Sequence, residues 1–400
     1  MNALAVATPA PLETEFDSAL LGLHHWLQAR DYAGYEPYDV LNSPFLGTWA
    51  QHQPFATLLI QSAKRIGGLP LRRLLQIPHS RNPKALGLAL AAYCDLSQTG
   101  WDSHAAAEHV KHLLIEARSN RESDSCWGYD WHYVSLRGAR LPAFSPNSIA
   151  TVFCADALLD YAEAFNDREA RAIALSAAHW LATRLQRSVD DGHRICLSYT
   201  PHDRTRIFNN SALVGALLAR VGRQPQNRQY RETAHCIMQY LADGQSPDGS
   251  WRYGMAPSQS WIDSFHTGYN LCALLAYQKS TGDQAFGEIL DRGYDFYRRH
   301  FFRGDGSPRY FHDRTYPIDI HACSQAILTF CAFSHFDSLA LSCAEQVARW
   351  TIAHLRNRDG SFGYQIHRFH TDRTPYVRWS EAWMLRALAR LRLHLCGATA

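Results

Sequence analysis

The sequence predicts an all-α protein, a single (α/α)6 toroid of six helical hairpins in one domain over residues 1–400. Three observations predict it. A turn of the form Asp-Gly-Ser-aromatic recurs along the chain, an amphipathic helix precedes each turn, and a helix that is apolar nearly all round follows it. A helix with one apolar stripe packs on the outside, whereas a helix without a polar face is buried. The alternation therefore predicts an outer and an inner ring of helices.

The repeated turn sets the period of the hairpins. Three close copies lie at 248–253, 305–310 and 359–364, and two looser copies lie at 124–129 and 191–199. The copies begin 67, 57, 57 and 54 residues apart along the chain. Glycine after aspartate favours a tight turn because it accepts a positive φ. The aromatic residue that follows is predicted to fill the junction between neighbouring hairpins.

The helices are predicted in order from these patterns. An N-terminal helix is expected over residues 14–29. Inner helices are expected to begin near residues 85, 148, 210, 267, 321 and 380, and outer helices near residues 105, 168, 228, 284 and 338. Six inner and five outer helices leave the N-terminal helix as the sixth outer member, which closes the ring against the last inner helix, 380–394. An open solenoid is the alternative.

Composition excludes several classes of protein. The chain has 40 Lys+Arg and 37 Asp+Glu, so its net charge of +3 lacks the basic excess of a phosphate-backbone binder, and no nucleic acid partner is expected. No stretch approaches 18 uncharged apolar residues, so no membrane span is expected. The first ten residues lack the basic region of a secretory signal. The ten cysteines form no CxxC motif and lie mostly in apolar stretches, which is typical of a reduced, cytoplasmic protein.

The predicted site lies at one end of the ring. All inner helices run the same way, so their N-termini and the loops before them meet at one face. These loops are rich in polar and aromatic residues and cover 35–43, 128–132, 145–148, 208–211, 261–270, 316–321 and 378–383. Helix N-termini also present free N–H groups and the positive end of the helix dipole, which suit an anionic ligand.

Carboxylates, imidazoles and flat aromatic rings together indicate sugar chemistry, in which one group donates a proton and another activates water or abstracts a proton. The predicted catalytic residues are Asp263, His266, Asp319, His321 and Glu381. The predicted substrate-binding residues are Tyr38, Asp39, Asn42, Asp130, Trp131, Asn209, Tyr269, Arg378 and Trp379. The acid/base work is assigned to the three carboxylates, with either histidine assisting, and Arg378 is expected to pair with a uronate carboxylate.

A structural alternative exists for each predicted catalytic residue. The two aspartates are ordinary helix N-cap types, the histidines are compatible with hydrogen-bonded core positions, and Glu381 suits a first helical turn. The chain lacks GxGxxG, Walker, HExxH and nucleophile-elbow motifs. A zinc site of Asp319, His321, Cys323 and His266 is an alternative that no second cysteine motif supports. The site is therefore predicted to need no metal and no cofactor.

Two resemblances bear on function. Gln245 to Trp251 resembles the Gln-Trp repeat of the terpenoid-cyclase and prenyltransferase toroids. The Asp-x-Asp-Asp cluster of the class II cyclases is absent, and the zinc-binding Asp-x-Cys of the prenyltransferases reads Asp319-Ile320-His321 here. The resemblance therefore implies the toroid without either activity.

The closer resemblance is to toroid proteins encoded in bacterial exopolysaccharide clusters, through residues 34–43, 263–270 and 316–321. It implies a carbohydrate-active enzyme that acts on an oligosaccharide or lipid-linked glycan, with other polysaccharide-synthesis proteins as partners. Six-hairpin glycosidases, uronate lyases and glucuronyl epimerases share the general architecture, so hydrolysis, β-elimination and epimerisation stay open. A toroid that acts on an isoprenoid and a non-catalytic glycan-binding scaffold are the alternative functions.

Overall fold

The computed structural model describes residues 15–50, 55–66, 68–134 and 140–397. Its α-helices, in chain order, are α1 (Glu15–Gln28), α2 (Gly47–Ala50), α3 (Ala56–Ile66), α4 (Gly68–Leu74), α5 (Pro83–Ser97), α6 (His104–Glu116), α7 (Ser148–Phe165), α8 (Arg168–Arg184), α9 (Phe208–Val221), α10 (Gln229–Asp243), α11 (Ser264–Thr281), α12 (Gly287–His300), α13 (Ile320–Phe333), α14 (Ala340–Leu355) and α15 (Trp383–Leu395). A π-helical turn, Val377–Ala382, leads into α15. The first ten residues, which the sequence analysis predicted not to be a secretory signal, lie outside the described residues.

Six of these helices form a closed inner ring. Helices α5, α7, α9, α11, α13 and α15 pack each on the next, and α15 returns to contact α5. Helices α1, α6, α8, α10, α12 and α14 lie outside them, and α1 contacts both α14 and α15. The outer helices expose one face, whereas α5 and α13 are buried nearly all round. The all-α toroid predicted from the sequence is therefore confirmed, and its helices begin within a few residues of the predicted positions.

Short strands connect the helices at the rims. They are β1 (Ala33–Gly34), β2 (Ser80–Arg81), β3 (Tyr133–Val134), β4 (Arg140–Leu141), β5 (Arg187–Asp190), β6 (Ile195–Leu197), β7 (Ile318–Asp319), β8 (Gln365–Ile366) and β9 (Thr371–Asp372). All pairings are antiparallel, and the sheets are β1–β2, β3–β4, β5–β6 and β7–β8–β9. Strand β7 pairs Asp319 with Gln365, which fixes the entry to α13.

The Asp-Gly-Ser turns lock each hairpin onto the next. The Asp248 carboxylate accepts hydrogen bonds from the backbone N–H of Ser250 at 3.0 Å and from its hydroxyl at 2.7 Å. Gly249 has a φ of +91° and lies so close to α12 that a Cβ atom would meet the Arg292 carbonyl oxygen at 2.3 Å. Trp251 is buried and its indole N–H donates to the Leu241 carbonyl at 2.9 Å. The predicted role of the aromatic residue at the hairpin junction is thus confirmed at this turn.

The last turn closes the ring. Gly360, with a φ of +88°, packs against the backbone of Gly22 in α1. The Asp359 carboxylate accepts a hydrogen bond from the Trp26 indole N–H at 3.1 Å. In addition, Arg392 of α15 forms a buried ion pair with Asp17 of α1. Helix α1 therefore packs against the last turn and against α14 and α15 from the outside.

Replacing Gly249 with alanine is expected to destabilise the protein by about 2–5 kcal/mol, the sum of a left-handed backbone penalty and overpacking against α12. Gly192 is a matched control, because its φ is +85° and nothing lies within 4 Å of the added Cβ. Gly192→Ala should cost only about 1–2 kcal/mol. Urea denaturation of both variants checks this, and equal losses would show that the turn does not dock.

Residues 39–50, 55–66 and 68–74 form a small helical cap that the sequence analysis did not predict. A 3₁₀ turn over Asp39–Asn42 and helices α2, α3 and α4 enclose their own apolar cluster, separate from the main core. The cap was missed because it lies outside the repeat, between the first outer and the first inner helix. It places Arg72 and Asp39 against the N-terminal ends of the inner helices, where the Arg72 guanidinium contacts the Tyr376 ring.

Candidate functional site

The N-terminal ends of the inner helices meet as predicted, and aromatic rings cover them. Tyr129 and Trp131 stack with their ring centroids 4.4 Å apart, and Tyr38 stacks on Trp131 at 5.7 Å. The Arg378 guanidinium lies 5.0 Å from the Trp131 ring centroid and 5.1 Å from that of Trp379. The flat rings of Tyr38, of the 128–132 loop and of the π-helical turn thus surround one buried cation.

Below these rings, two successive inner helices bring their first turns together. The Tyr269 hydroxyl of α11 is hydrogen-bonded to Nε2 of His321 in α13 at 2.6 Å. The His321 ring stacks on Phe265 at 4.5 Å and lies 4.6 Å from Trp383. The side chains at positions 265, 269 and 321 are therefore one packed group, although 52 residues separate Tyr269 from His321.

Asp263 and His266 form a dyad at the start of α11. One Asp263 oxygen accepts the backbone N–H of His266 at 2.9 Å and so caps the helix. The other accepts the Nδ1–H of His266 at 2.6 Å and the indole N–H of Trp261 at 2.8 Å. A carboxylate on Nδ1 selects the tautomer in which Nε2 carries the lone pair. The His266 side chain is 20% exposed, and no described residue forms a hydrogen bond with its Nε2.

Asp319 is a fully buried cap of α13. Its carboxylate accepts the backbone N–H of His321 at 2.7 Å, the Gln365 amide at 2.5 Å and the Trp379 indole N–H at 3.0 Å. The structure therefore brings the predicted Asp263, His266, Asp319 and His321 to one end of the ring. The capping role that was the structural alternative for both aspartates is also present.

Glu381 is not brought into this group, although it was predicted to share the rim with the aspartates. Its carboxylate accepts the backbone N–H of Phe362 at 3.0 Å, and burial raises its pKa well above the usual value. The helical turn begins at Val377, three residues before the predicted start at Ser380, and it is π-helical. A π-turn changes the register of the side chains, so Glu381 faces the Asp359 turn and α1.

The predicted substrate-binding carboxylate Asp39 and the nearby Glu36 are buried and paired with arginines. Asp39 forms an ion pair with Arg72 at 3.1 Å, and Glu36 forms one with Arg378 at 2.9 Å. Burial raises the pKa of Asp39 to about 6 and that of Glu36 to about 8. Glu36 was quoted in the sequence motif but not predicted as a site residue. Glu36 and Arg378 are 342 residues apart, so no local sequence pattern indicated that they form an ion pair.

Asp130 is held by neutral donors. The Ser80 hydroxyl and the Asn82 amide, the latter at 2.5 Å, hydrogen-bond its carboxylate, and burial raises its pKa. The Asn42 amide donates to the Asp130 carbonyl at 2.9 Å. Asn209, in the first turn of α9, is buried, and its Oδ1 has no partner among the described residues. Asp130 and Asn42 therefore shape the loop under the aromatic rings, whereas Asn209 presents an unused acceptor.

The chain is similar in structure to several sugar-processing proteins. No protein-family model and no curated protein matches its sequence. A sugar epimerase from a ruminal bacterium superposes with a TM-score of 0.62 at 13% identity over 80% of this chain and 90% of its own. The cellobiose 2-epimerase of Bacillus thermoamylovorans gives 0.63 at 13%, over 81% and 90%. A family 76 α-mannanase of Bacteroides thetaiotaomicron gives 0.60 at 13%, over 88% and 97%.

The chain is an α/α-toroid. At these identities the likeness establishes the architecture and leaves the chemistry to the residues of the site. Among the described residues of the toroid, no three histidine, cysteine, aspartate or glutamate side chains are placed to share a metal ion. Cys323 of the zinc alternative lies beside Thr351 of α14, and burial raises the pKa of its thiol to about 12. The thiol therefore faces the outer ring of the toroid.

The sequence analysis missed one charged residue inside the toroid. Lys84 lies in the first turn of α5, and its ammonium contacts the rings of Phe153, Trp383 and Tyr269. A signal was present, because Lys84 is the only charged residue between Pro83 and Cys94 in an otherwise apolar helix. A lone charge on a helix that is buried all round must face either a partner or a cavity.

Proposed function

We propose that this toroid is a carbohydrate-active enzyme that transfers protons on a sugar, with His266 as the general base. The observation that carries the proposal is the Asp263–His266 dyad, in which the carboxylate holds Nδ1–H at 2.6 Å and leaves the partly exposed Nε2 as acceptor. A carboxylate in this position orients the imidazole and stabilises the imidazolium that forms. The stacked rings of Tyr38, Tyr129 and Trp131 supply a surface for a pyranose.

The same contacts argue against the carboxylates as the acid/base pair. Glycoside hydrolysis by the common route needs two carboxyl groups that face the scissile bond. Asp263 and Asp319 each accept hydrogen bonds from three donors of the protein, and Glu381 faces away from them. The arrangement therefore favours proton abstraction at carbon, as in epimerisation or β-elimination, over hydrolysis.

In the proposed reaction Nε2 of His266 removes the proton from a carbon next to the carbonyl of an open-chain sugar. The C–H electron pair moves toward the carbonyl, and an enediolate forms. Tyr269 is the second proton-transfer group, because its hydroxyl is bonded to His321 and burial raises its pKa well above the usual value. The Tyr269 phenol gives its proton to the enediolate carbon, and His321, bonded to the phenol oxygen, passes a replacement proton to it. The His266 imidazolium then releases its proton to solvent, so that both groups are restored.

The proposal extends to the biological setting. We infer a bacterial oligosaccharide or lipid-linked glycan of surface-polysaccharide synthesis as the substrate and the cytoplasm as the compartment. The resemblance to exopolysaccharide-cluster toroids through residues 34–43, 263–270 and 316–321 supports this substrate. The ten cysteines, which form no disulfide, support the cytoplasm as the compartment. No described helix is both long and apolar enough to cross a bilayer. The epimerases that the toroid resembles support proton transfer on a sugar.

The test is solvent exchange. Incubation of the protein with glucose, mannose or cellobiose in deuterium oxide is expected to introduce one deuterium at carbon 2, read by mass spectrometry and proton NMR. Release of new reducing ends would instead indicate hydrolysis, and an ultraviolet-absorbing unsaturated product from a uronate-containing glycan would indicate elimination. Absence of all three products across a panel of bacterial oligosaccharides would contradict enzymatic proton transfer.

A non-catalytic glycan-binding protein is the second candidate. The observation that favours it is that Asp263 and Asp319 both serve as helix caps with saturated carboxylates. In that case the aromatic rings would bind sugar, and the dyad would only hold the start of α11. Sugar binding without any exchange in deuterium oxide would identify this function.

A further inference from the structure

We propose that the sugar bound at this site carries a carboxylate, which pairs with Lys84 and Arg378. This inference rests on the proposed function for the position of the sugar, and it names the substrate as a uronate-containing glycan. It adds Lys84 to the site as a specificity-determining residue, and it gives the unmatched charge of that residue a partner.

Lys84 lies in a cage of aromatic faces inside the ring. Its Nζ atom is 3.9 Å from the ring centroid of Phe153, 5.0 Å from that of Trp383 and 5.5 Å from that of Tyr269. The residue is only 2% exposed. Ring faces attract an ammonium, but they accept no conventional hydrogen bond from it and cannot replace an anion.

No described carboxylate pairs with this ammonium, and no described group accepts a hydrogen bond from it. The carboxylates of the site are bound elsewhere: Glu36 to Arg378, Asp39 to Arg72, and Asp130 to Ser80 and Asn82. Burial lowers the pKa of Lys84 well below its usual value, and repulsion by Arg378 adds to the effect, which a bound anion would oppose. A buried cation is normally paired, so we assign the missing partner to an anion from outside the chain.

The cage adjoins the proton-transfer group. Tyr269 borders the Lys84 ammonium on one side and is bonded to His321, and its ring centroid is 5.9 Å from that of His266. We therefore place the carboxylate of a sugar whose reacting carbon is at His266 on the side of Tyr269 that Lys84 borders. Charge-assisted bonds to a carboxylate are the strong ones among hydrogen bonds, and a planar guanidinium and an ammonium are their usual donors.

The probes are three six-carbon sugars that differ at carbon 6: glucose, glucuronate and glucose 6-phosphate. Quenching of tryptophan fluorescence reports binding, because Trp131, Trp379 and Trp383 line the site. Wild-type protein is expected to bind glucuronate at least about tenfold more tightly than glucose. Lys84→Met should reduce that preference to below about threefold, and Lys84→Arg should restore part of it.

Lys111→Met is the matched control. Lys111 is also a buried lysine against an aromatic ring, 5.2 Å from Tyr161, but it lies in the outer helix α6 and is paired with Asp167. Its substitution should leave the glucuronate preference of the site unchanged. Circular dichroism and thermal melting show whether each variant is folded.

Equal affinities of wild-type protein for glucuronate and glucose would overturn the proposal without any variant, even if Lys84→Met failed to fold. Tighter binding of glucose 6-phosphate than of glucuronate would replace the carboxylate with a phosphate and overturn the uronate assignment. A Lys84→Met protein that kept the preference would show that the lysine is structural. Failure of the proposed proton transfer is distinguishable, because it removes deuterium exchange and leaves the glucuronate preference in place.

Discussion

Replacing His266 with alanine is expected to slow deuterium exchange by about 10²–10⁴-fold, the usual cost of losing a positioned general base. The free energy of unfolding should change by less than about 1 kcal/mol, because the ring is partly exposed and bonds only to Asp263 among the described residues. Initial exchange rates and urea denaturation of the same preparation measure the two quantities.

His235 is the matched control for this prediction. Its Nδ1 is likewise bonded to a carboxylate, Asp283 at 3.0 Å, but it lies on the outer helix α10. His235→Ala should leave the exchange rate unchanged. Asp263→Asn should slow exchange while largely preserving stability, since asparagine caps helices as well as aspartate does but does not stabilise an imidazolium.

A Glu381 variant distinguishes the histidine mechanism from the carboxylate mechanism that the sequence predicted. Burial raises the pKa of its carboxyl well above the usual value, and the carboxyl oxygens accept the Phe362 backbone N–H, a bond that an amide oxygen can also accept. Glu381→Gln should therefore mimic the native group and leave exchange within a few-fold of wild type. Full exchange in His266→Ala together with loss of exchange in Glu381→Gln would return the acid/base role to the carboxylate.

Deleting residues 1–30 is expected to give insoluble protein. The deletion removes α1, which buries Phe16, Leu20, Leu23, Trp26 and Leu27 in the main core. It also leaves Arg392 buried without Asp17 and uncovers the turn at Gly360. Loss of one ion-pair partner alone typically costs about 3–5 kcal/mol, so the open ring should not fold cooperatively.

Point variants on α1 give a graded form of the same test. Leu23 is fully buried, and Leu23→Asp should cost about 4–5 kcal/mol, because it combines a lost apolar side chain with an unpaired buried charge. His25 is exposed on the same helix, so His25→Asp should cost less than about 1 kcal/mol. A soluble truncation that melts cooperatively would show that the ring is stable without α1.

The ring could be predicted from the sequence because its signals are local and repeated. The Asp-Gly-Ser turn, the period near 57 residues and the two kinds of helix each depend on a few neighbouring side chains. Among the described residues, the helical cap within 39–50, 55–66 and 68–74 and the π-turn at 377–382 have no counterpart in the other repeats. A prediction based on the repeats therefore could not locate the cap or the π-turn.

The sequence by itself determined the all-α toroid, the order of inner and outer helices and the end of the ring at which Asp263, His266, Asp319 and His321 meet. Only the tertiary structure decided which of their atoms remain available. The Asp319 oxygens are occupied by Gln365 and Trp379, whereas Nε2 of His266 has no partner among the described residues. The reason is physical: a side chain's chemistry depends on its hydrogen-bond partners. Side chains from segments 46 to 60 residues away bond to Asp319 and His321, and no local pattern encodes their approach.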